Sequence, residues 1–555
     1  MANPAPDFDP TLFDKINRNY EHACENFAIP APEFFNFGFD VIDQLATEHD
    51  GTAVIAVDRS GDSVQPIKFS ELSRSSNQFA NALISLGLKP GDHACVVIGR
   101  IPQWYTVLFG CMKAGVVSMP GTNLLTAKDI AYRINKAGAR AVMVTPEHCD
   151  KVESIRSECP SLEYLIVTGQ EKQGWHSLTA LCEKNSTEIA ADARIRTRST
   201  EPMMAYFTSG TTSLPKMVSR NYGYALAQVA TGLFWMDNRP GDVHWTLTDT
   251  GWAKAAWGML FAQFTLRSPI VLYDGDGAFD PDFHLRMIAK LGVKTFCAPP
   301  TVYRLFAQQP LDQYDLSSIR RSLSAGEPLN PEVIRIWERN TGTVIADGYG
   351  QTETVNIVGN FPDQEVRYGS MGQAVPGFDI DVIDDAGNRL PTGEVGHIAV
   401  RLTDPWPAGL FHGYQTEGEP DKRSFHDGWY FTGDTATRDE QGYFWFVGRA
   451  DDLISSAGYR ISPFEVESSL LEHPAVAESA VVGKPDATRG EIVKAFITLS
   501  NGYTASEALI EDIQTFCKAH TAPYKYPREI QFVDALPKTI SGKIRRVDLR
   551  KSDAG

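Results

Sequence analysis

At 555 residues the chain exceeds one ordinary hydrophobic core, so two or more domains are expected. Hydrophobic content of 43% and charged content of 22% exclude a disordered or fibrous class. The net charge of -17 repels nucleic acid and anionic membrane surfaces, so neither is an expected partner.

The eight cysteines, at 24, 95, 111, 149, 159, 182, 297 and 517, show no Cys-x-x-Cys and no His set at zinc spacing, which suits free thiols in a reducing compartment. The most apolar long window, 104–120, is interrupted by Lys113 and is too short to cross a bilayer, so no integral membrane segment is expected. Residues 1–14 carry Asp7, Asp9 and Asp14 without Arg, the reverse of a mitochondrial presequence, and lack a secretory apolar core. The last four residues match no peroxisomal tripeptide, and a cytoplasmic location is the expectation.

Residues 1–50 are aromatic-rich, with Phe34, Phe35, Phe37 and Phe39 in one short span, and read as an irregular arm that wraps onto the body. From Ser70 the positions Leu72, Phe79, Leu83 and Leu86 follow helical spacing until Gly87 stops the helix. A strand over 93–98, a helix over 103–114, a strand over 116–119, a helix over 127–137 behind the Thr126/Asp129 cap, and a strand over 141–145 follow. This alternation predicts a parallel sheet covered on both faces. It resumes with helix 222–231, strand 270–273, helix 282–291 and strand 295–298, a second similar layer.

Between 377 and 447 the texture changes to short alternating runs, 379–383, 396–401 and 443–447, separated by Gly, Pro and Asp turns, which read as a small antiparallel barrel or sheet. A fresh unit starts near Ser462-Pro463-Phe464-Glu465, with Ser as cap, Pro at the first helical position and Glu as the reciprocal cap. Residues 453–555 carry zero net charge, so the whole -17 lies before them. Lys538, Lys543, Arg545, Arg546, Arg550 and Lys551 crowd the end of this unit, which suits an anionic ligand or a solvated surface. The predicted organisation is an arm (1–50), an α/β N-terminal domain (51–450) of two parallel layers with a β-barrel-like subdomain (376–447), and a small mobile α+β C-terminal lid (451–555).

Between the two layers stands Tyr206-Phe207-Thr208-Ser209-Gly210-Thr211-Thr212-Ser213-Leu214-Pro215-Lys216. Hydroxyls and close backbone N–H groups over 208–212, followed by a Lys, suit a polyphosphate, although a polar run of this kind also serves as a solvated loop. A Walker loop would need Gly at 215 and Ser or Thr at 217, where the chain has Pro215 and Met217. Further along come Ala325-Gly326-Glu327-Pro328, Asp347-Gly348-Tyr349-Gly350-Gln351-Thr352-Glu353, Tyr430-Phe431-Thr432-Gly433-Asp434, Gly448-Arg449-Ala450-Asp451-Asp452, Ser456-Ala457-Gly458-Tyr459-Arg460 and Pro537-Lys538-Thr539-Ile540-Ser541-Gly542-Lys543.

With these motifs in order, the sequence closely resembles the adenylate-forming (AMP-binding) superfamily of acyl-CoA synthetases, peptide-synthetase adenylation domains and luciferases. Thr248-Asp249-Thr250-Gly251-Trp252 and Tyr524-Lys525-Tyr526-Pro527-Arg528 make it most similar to the medium-chain acyl-CoA synthetases. The resemblance implies an AMP-forming ligase that uses ATP, Mg2+ and coenzyme A to convert a medium-chain or aromatic carboxylic acid to its CoA thioester through an acyl-adenylate. The alternatives are a ligase that loads a carrier protein's phosphopantetheine and a non-catalytic acyl or nucleotide sensor. No oligomeric state follows.

By the same resemblance, Thr208, Ser209, Gly210, Thr211, Thr212, Ser213 and Lys216 would hold the β and γ phosphates, with Ser213 where relatives usually carry Gly. Glu353 would hold Mg2+, and Thr352, beside Gln351, the α-phosphate. Gly326, Glu327 and Pro328 with Asp347, Gly348 and Tyr349 would line the adenine slot. Asp434 would take the ribose hydroxyls, and Arg449 would meet the ribose or a phosphate. Lys543 would act in adenylation, Asp451 would be the hinge, and Gly458, Tyr459 and Arg460 would face the pantetheine tunnel. Trp252 would border the acyl pocket, and Gly350, where acetate-using relatives carry Trp, would let it extend deeper.

Overall fold

The computed structural model describes residues 8–169, 171–208, 214–275, 279–326, 331–457, 459–522, 524–538 and 544–553. Two compact units emerge: Met1–Thr208, Lys216–Asp379 and Thr403–Lys422 form the first, and Ser209–Pro215, Ile380–Leu402 and Arg423–Gly555 the second.

The first unit follows the predicted alternation closely. Phe69–Leu86 is helical and ends at Gly87, whose φ of 93° is open to glycine at little cost. Gln103–Ala114 and Ala127–Ala137 are helices, the latter with a full capping box between Thr126 and Asp129. One sheet runs in the order Tyr414–Gln415, Lys216–Asn221, Pro202–Thr208, Val117–Pro120, His93–Val97, Ala141–Val144, Tyr164–Val167, His176–Ser177. Ile130, Ile134, Val152 and Ile155 pack on Cys95, Val97, Val142 and Val144 across one face of it.

The other sheet runs Gln373–Ala374, Asn356–Gly359, Ile345–Gly350, Arg321–Ala325, Thr295–Cys297, His244–Thr246, Ile270–Tyr273, Thr52–Val57, Val64–Lys68. The helices Pro281–Leu291, Pro300–Phe306 and Pro331–Thr341 cover it through Leu285, Ile288, Phe306 and Trp337. Both sheets are parallel at their centres and mixed at their edges. Pro202–Thr208 and Lys216–Asn221 are antiparallel, as are Ile345–Gly350 and Asn356–Gly359. The two expected α/β layers are present, and their edges are antiparallel because short connections after 208 and 350 return the chain as hairpins, which helical crossovers cannot do.

The arm is more regular than expected. A π-helical turn, Gly38–Asp43, runs into the helix Gln44–Glu48, and Phe35 and Phe37 are buried. Lys113, fully buried, reaches Asp43 Oδ1 at 2.5 Å and donates to Ser76 Oγ and Asn77 Oδ1, so the arm is pinned by a satisfied internal charge. Among the described residues no helix is long and apolar enough to cross a membrane.

The second unit holds two five-stranded sheets. The first, of Ile380–Ile383, Gly396–Arg401, Trp429–Arg438, Phe425–His426 and Phe444–Arg449, is antiparallel and makes the partial barrel-like subdomain. The second contains the long hairpin Val476–Asp486 and Gly490–Leu499, and the helices Pro463–Leu471 and Glu507–His520 accompany it around Val466, Leu470, Val481, Ile497 and Ile513. Ser462 caps the first helix by accepting from Glu465 N at 3.2 Å. The reciprocal half of the expected cap is replaced, because the Glu465 carboxylate is drawn to Lys525.

Candidate active site

In the first unit the two strands that flank the polar loop in sequence are paired. Thr208 ends one and Lys216 begins the next, directly opposite, with Thr208 Oγ1 3.5 Å from the Lys216 carbonyl oxygen. Ser209, Gly210, Thr211, Thr212 and Ser213 lie outside the described residues.

The Lys216 ammonium sits over the Tyr414 ring, 4.4 Å from its centroid, and the Tyr414 hydroxyl donates to Glu353 Oε1 at 2.7 Å. Thr208, Lys216 and Glu353, 145 residues apart in the chain at the extremes, are thereby brought together through Tyr414. Glu353 is buried, and its backbone is clamped: the Arg220 guanidinium, itself buried, donates to the carbonyls of Glu353 at 2.9 Å, of Thr354 at 3.4 Å and of Gly409. The same guanidinium lies 3.9 Å from the Tyr224 ring centroid. Gly409, with φ of 77°, permits this approach, since a Cβ would meet Ala227 Cβ at 2.7 Å.

The strand Ile345–Gly350 carries Asp347, Gly348 and Tyr349, and its position is set by Trp235. The Trp235 indole N–H donates to the Asp347 carbonyl at 3.2 Å, and the same oxygen accepts from Asn360 Nδ2 at 3.0 Å. A Cβ on Gly348 would lie 2.6 Å from the indole, so the aromatic ring occupies the room a side chain would need. Burial pushes the Asp347 carboxyl up to about 8, against hydrogen bonding from Gly348 N and the nearby Lys254 charge. Lys254 Nζ also reaches the carbonyl of Ala325 at 3.4 Å. Gly326 follows with φ of 107°, a region that favours glycine. Glu327 and Pro328 lie outside the described residues.

Gln351 N donates to Thr354 Oγ1 at 3.0 Å, and Thr352 is half-buried beside it. Along the Cβ direction of Gly350 lie the Val355 carbonyl oxygen at 2.2 Å and Asn356 Cα at 2.8 Å. Glycine at 350 is therefore required by backbone contact. Trp252 caps the helix Ala253–Gly258 and is half-buried. Its neighbour Gly251 is in extreme contact with the other layer: a Cβ there would fall 1.9 Å from Thr122 N. Asp249 accepts from Thr122 Oγ1 at 2.8 Å and Thr250 donates to the Ile98 carbonyl, so the 248–252 motif ties the two layers together.

In the second unit Asp434 and Arg449 are directly opposite on antiparallel strands. Arg449 Nε contacts Asp451 Oδ1 at 3.1 Å. Burial works against the Arg449 charge, but Asp434, Asp451 and Asp452 together hold its pKa above the ordinary value. Asp451 is exposed. Tyr459 and Arg460 open the strand Tyr459–Ile461, with Tyr459 stacked on Tyr524 at 4.2 Å. Gly458 and Lys543 lie outside the described residues; the latter's segment is framed by the paired residues Lys538 and Ile544.

Sequence reasoning missed Arg220, Trp235 and Tyr414. Trp235 stands in a strongly apolar run, where an indole N–H needs an internal acceptor, and that was the available signal; Arg220, between Ser219 and Asn221, carried none. Tyr414 had none, because its contacts depend on a pairing across 196 residues.

A metal would fit at Glu353 only in one way. Its carboxylate is a hard oxygen donor of the kind Mg2+ takes, and among the described residues no group of three or more His, Cys, Asp or Glu could hold an ion. An ion there would draw its other ligands from phosphates and water.

The family described as AMP-binding enzyme matches residues 42–414, and the AMP-binding enzyme C-terminal domain matches 465–543. The chain is 43% identical over 554 residues to the mitochondrial acyl-coenzyme A synthetase ACSM4 of Mus musculus, covering 98% of this chain and 93% of that one. It is 42% identical to ACSM5 of Homo sapiens, covering 94% and 91%. Among solved structures, the anthranilate CoA ligase AuaEII in complex with anthranoyl-AMP superposes with a TM-score of 0.85 at 30% identity, over 94% of this chain and 98% of that one. ATP-bound MatB from Rhodopseudomonas palustris gives 0.81 at 26% identity, over 93% and 99%. The chain belongs to the AMP-binding, adenylate-forming enzyme superfamily and is a ligase that works through an acyl-adenylate.

Proposed function

We propose that this ligase is an AMP-forming acyl-CoA synthetase, converting a carboxylic acid, ATP and coenzyme A to acyl-CoA, AMP and diphosphate, with medium-chain fatty or aromatic acids as substrates. The observation that carries the reading is the joining of Lys216 and Glu353 through Tyr414 at the foot of the Thr208 loop. It sets a cation for phosphate and a carboxylate for the ATP-borne metal side by side. Coenzyme A as acceptor is supported by relatives named acyl-coenzyme A synthetases, and an aromatic acid by the likeness to an anthranilate CoA ligase.

In the first half-reaction the acid's carboxylate attacks the α-phosphorus and diphosphate leaves. Residues 208–213 and Lys216 hold the β and γ phosphates, and Thr352 meets the α-phosphate. Glu353 would hold Mg2+ brought with ATP, which would supply charge neutralisation to the triphosphate. Gly326, Glu327, Pro328, Asp347, Gly348 and Tyr349 enclose the adenine. Asp434 takes the ribose hydroxyls, and Arg449 meets the ribose or a phosphate. Lys543 offsets the repulsion between acid and phosphate and stabilises the charge that grows on phosphorus.

In the second half-reaction the thiol of coenzyme A attacks the acyl carbon and AMP leaves. The lid, 451–555, turns about Asp451 between the steps, bringing Gly458, Tyr459 and Arg460 to the thiol's approach. Trp252 borders the acyl group.

The test is acid-dependent exchange of labelled diphosphate into ATP over a panel of C2 to C16 fatty acids and benzoates. Exchange with one class of acid is expected, and Lys543→Ala should lower it roughly 10²-fold to 10³-fold, as loss of one preorganised donor does. Absence of exchange with every acid would overturn the reading.

A further inference from the structure

We infer that Tyr414 is a positioning residue for Mg2+-bound ATP, holding Glu353 and Lys216 close together without letting them neutralise one another. The inference rests on the function proposed above and adds to it a residue that acts through Glu353 and Lys216.

Three features fix the phenol. Its backbone is tied on both sides: the short strand Tyr414–Gln415 pairs antiparallel with Val218 and Met217 on the strand that Lys216 begins, and Tyr414 exchanges backbone hydrogen bonds with Asp421 at 3.1 and 2.8 Å. Its ring is buttressed edge-on by Phe411, centroids 5.0 Å apart. The approach of its segment to Glu353 is set by backbone: Phe411 N donates to the Glu353 carbonyl at 2.9 Å, and Arg220 bridges the carbonyls of Glu353 and Gly409. The hydroxyl can therefore meet the carboxylate without ordering a free chain first.

Each half of the phenol does something different. The hydroxyl donates to Oε1, which orients the carboxylate and sets the direction of its Oε2 lone pairs for a hard cation. The ring face attracts the Lys216 ammonium through its quadrupole. Lys216 and Glu353 are thus joined through the ring and hydroxyl of one residue. A direct ion pair would have cancelled both charges before the nucleotide arrived, whereas this arrangement keeps the cation available to phosphate and the anion to the metal.

Two substitutions separate the halves. Tyr414→Phe keeps the ring and removes the hydroxyl; Tyr414→Leu removes both. Diphosphate exchange is measured with ATP and Mg2+ varied independently, and ATP binding is measured by calorimetry with Mg2+ and in EDTA. Tyr414→Phe is expected to raise the Mg2+ concentration for half-maximal exchange about tenfold, the usual scale for losing a group that orients a metal ligand, and to weaken ATP binding only when Mg2+ is present. Tyr414→Leu should in addition weaken binding in EDTA, because Lys216 has lost its ring.

A purely structural role predicts a lower melting temperature and equal losses with and without Mg2+, and either that pattern or an unshifted Mg2+ requirement in Tyr414→Phe overturns the assignment. Exchange by the wild type with an unshifted Tyr414→Phe breaks this inference alone. No exchange with any acid breaks the proposed function, and the calorimetric arm then decides Tyr414 by itself. A wild type whose ATP binding is indifferent to Mg2+ overturns both.

Discussion

The surroundings of Glu353 and those of Asp452 use arginine in opposite ways. In the first unit Arg220 is spent on three backbone carbonyls, and Arg321 donates to the carbonyls of Trp235 and Asn360. In the second unit one guanidinium nitrogen of Arg546, Nη2, lies 2.8 Å from each Glu467 carboxylate oxygen, and Nη1 lies 3.6 Å from Asp452, which also receives Arg550. Carbonyl acceptors do not titrate and cannot be exchanged for water once buried, so the first arrangement is a fixed clamp. Carboxylate acceptors can change partner, protonate and respond to salt, which suits a unit that we propose to turn about the neighbouring Asp451.

The largest effect should come from breaking the clamp. Arg220→Met leaves buried carbonyls without their donor and is expected to cost roughly 3–5 kcal/mol, read as a lower denaturant midpoint, and to abolish exchange activity. Arg220→Lys should rescue little, since one compact ammonium does not span three carbonyls. If Arg220→Met unfolds no more readily than a change in the Glu467 network, the contrast between the two regions fails.

Acid provides the next test. Burial lowers His244 to about 3 and His284 to about 4, both in the first unit. Because each imidazole is held neutral in the fold but takes a proton near pH 6.5 when unfolded, its stabilising contribution is complete above 6.5. It is lost as pH falls toward 3–4, at about 1.4 kcal/mol per unit for each group. Urea unfolding should show the first unit weakening from pH 6.5 to 4.5, and His284→Gln should flatten that slope by one proton.

A smaller effect is expected in the second unit. Burial raises the Glu467 carboxyl against the pull of Arg546. Glu467→Gln keeps the shape and removes the charge, and should cost about 1–3 kcal/mol. It sharpens the comparison if diphosphate exchange suffers more than thioester formation from added acyl-adenylate, since Arg546 begins the helix that follows the Lys543 segment. The smallest effect is the surface pair Arg286–Asp282, one helical turn apart at 2.8 Å, where Arg286→Ala should shift stability by at most about 0.5 kcal/mol.

Much of this protein is fixed by its sequence. Periodicity, capping residues and glycine stops placed the helices 69–86, 103–114 and 127–137 within a residue, because those signals are local and act over one or two turns. Ordered motifs marked Thr208, Asp347, Glu353, Asp434 and Arg449 as a nucleotide set. Tertiary structure alone decided how they are held. The Trp235 indole that fills the room of Gly348, the Gly251 contact with Thr122, and the linkage of Glu353 to Arg220 and, through Tyr414, to Lys216 all join residues far apart in the chain. No local rule encodes such pairs. They exist only once sheet order has brought buried donors, acceptors and aromatic faces within reach of one another.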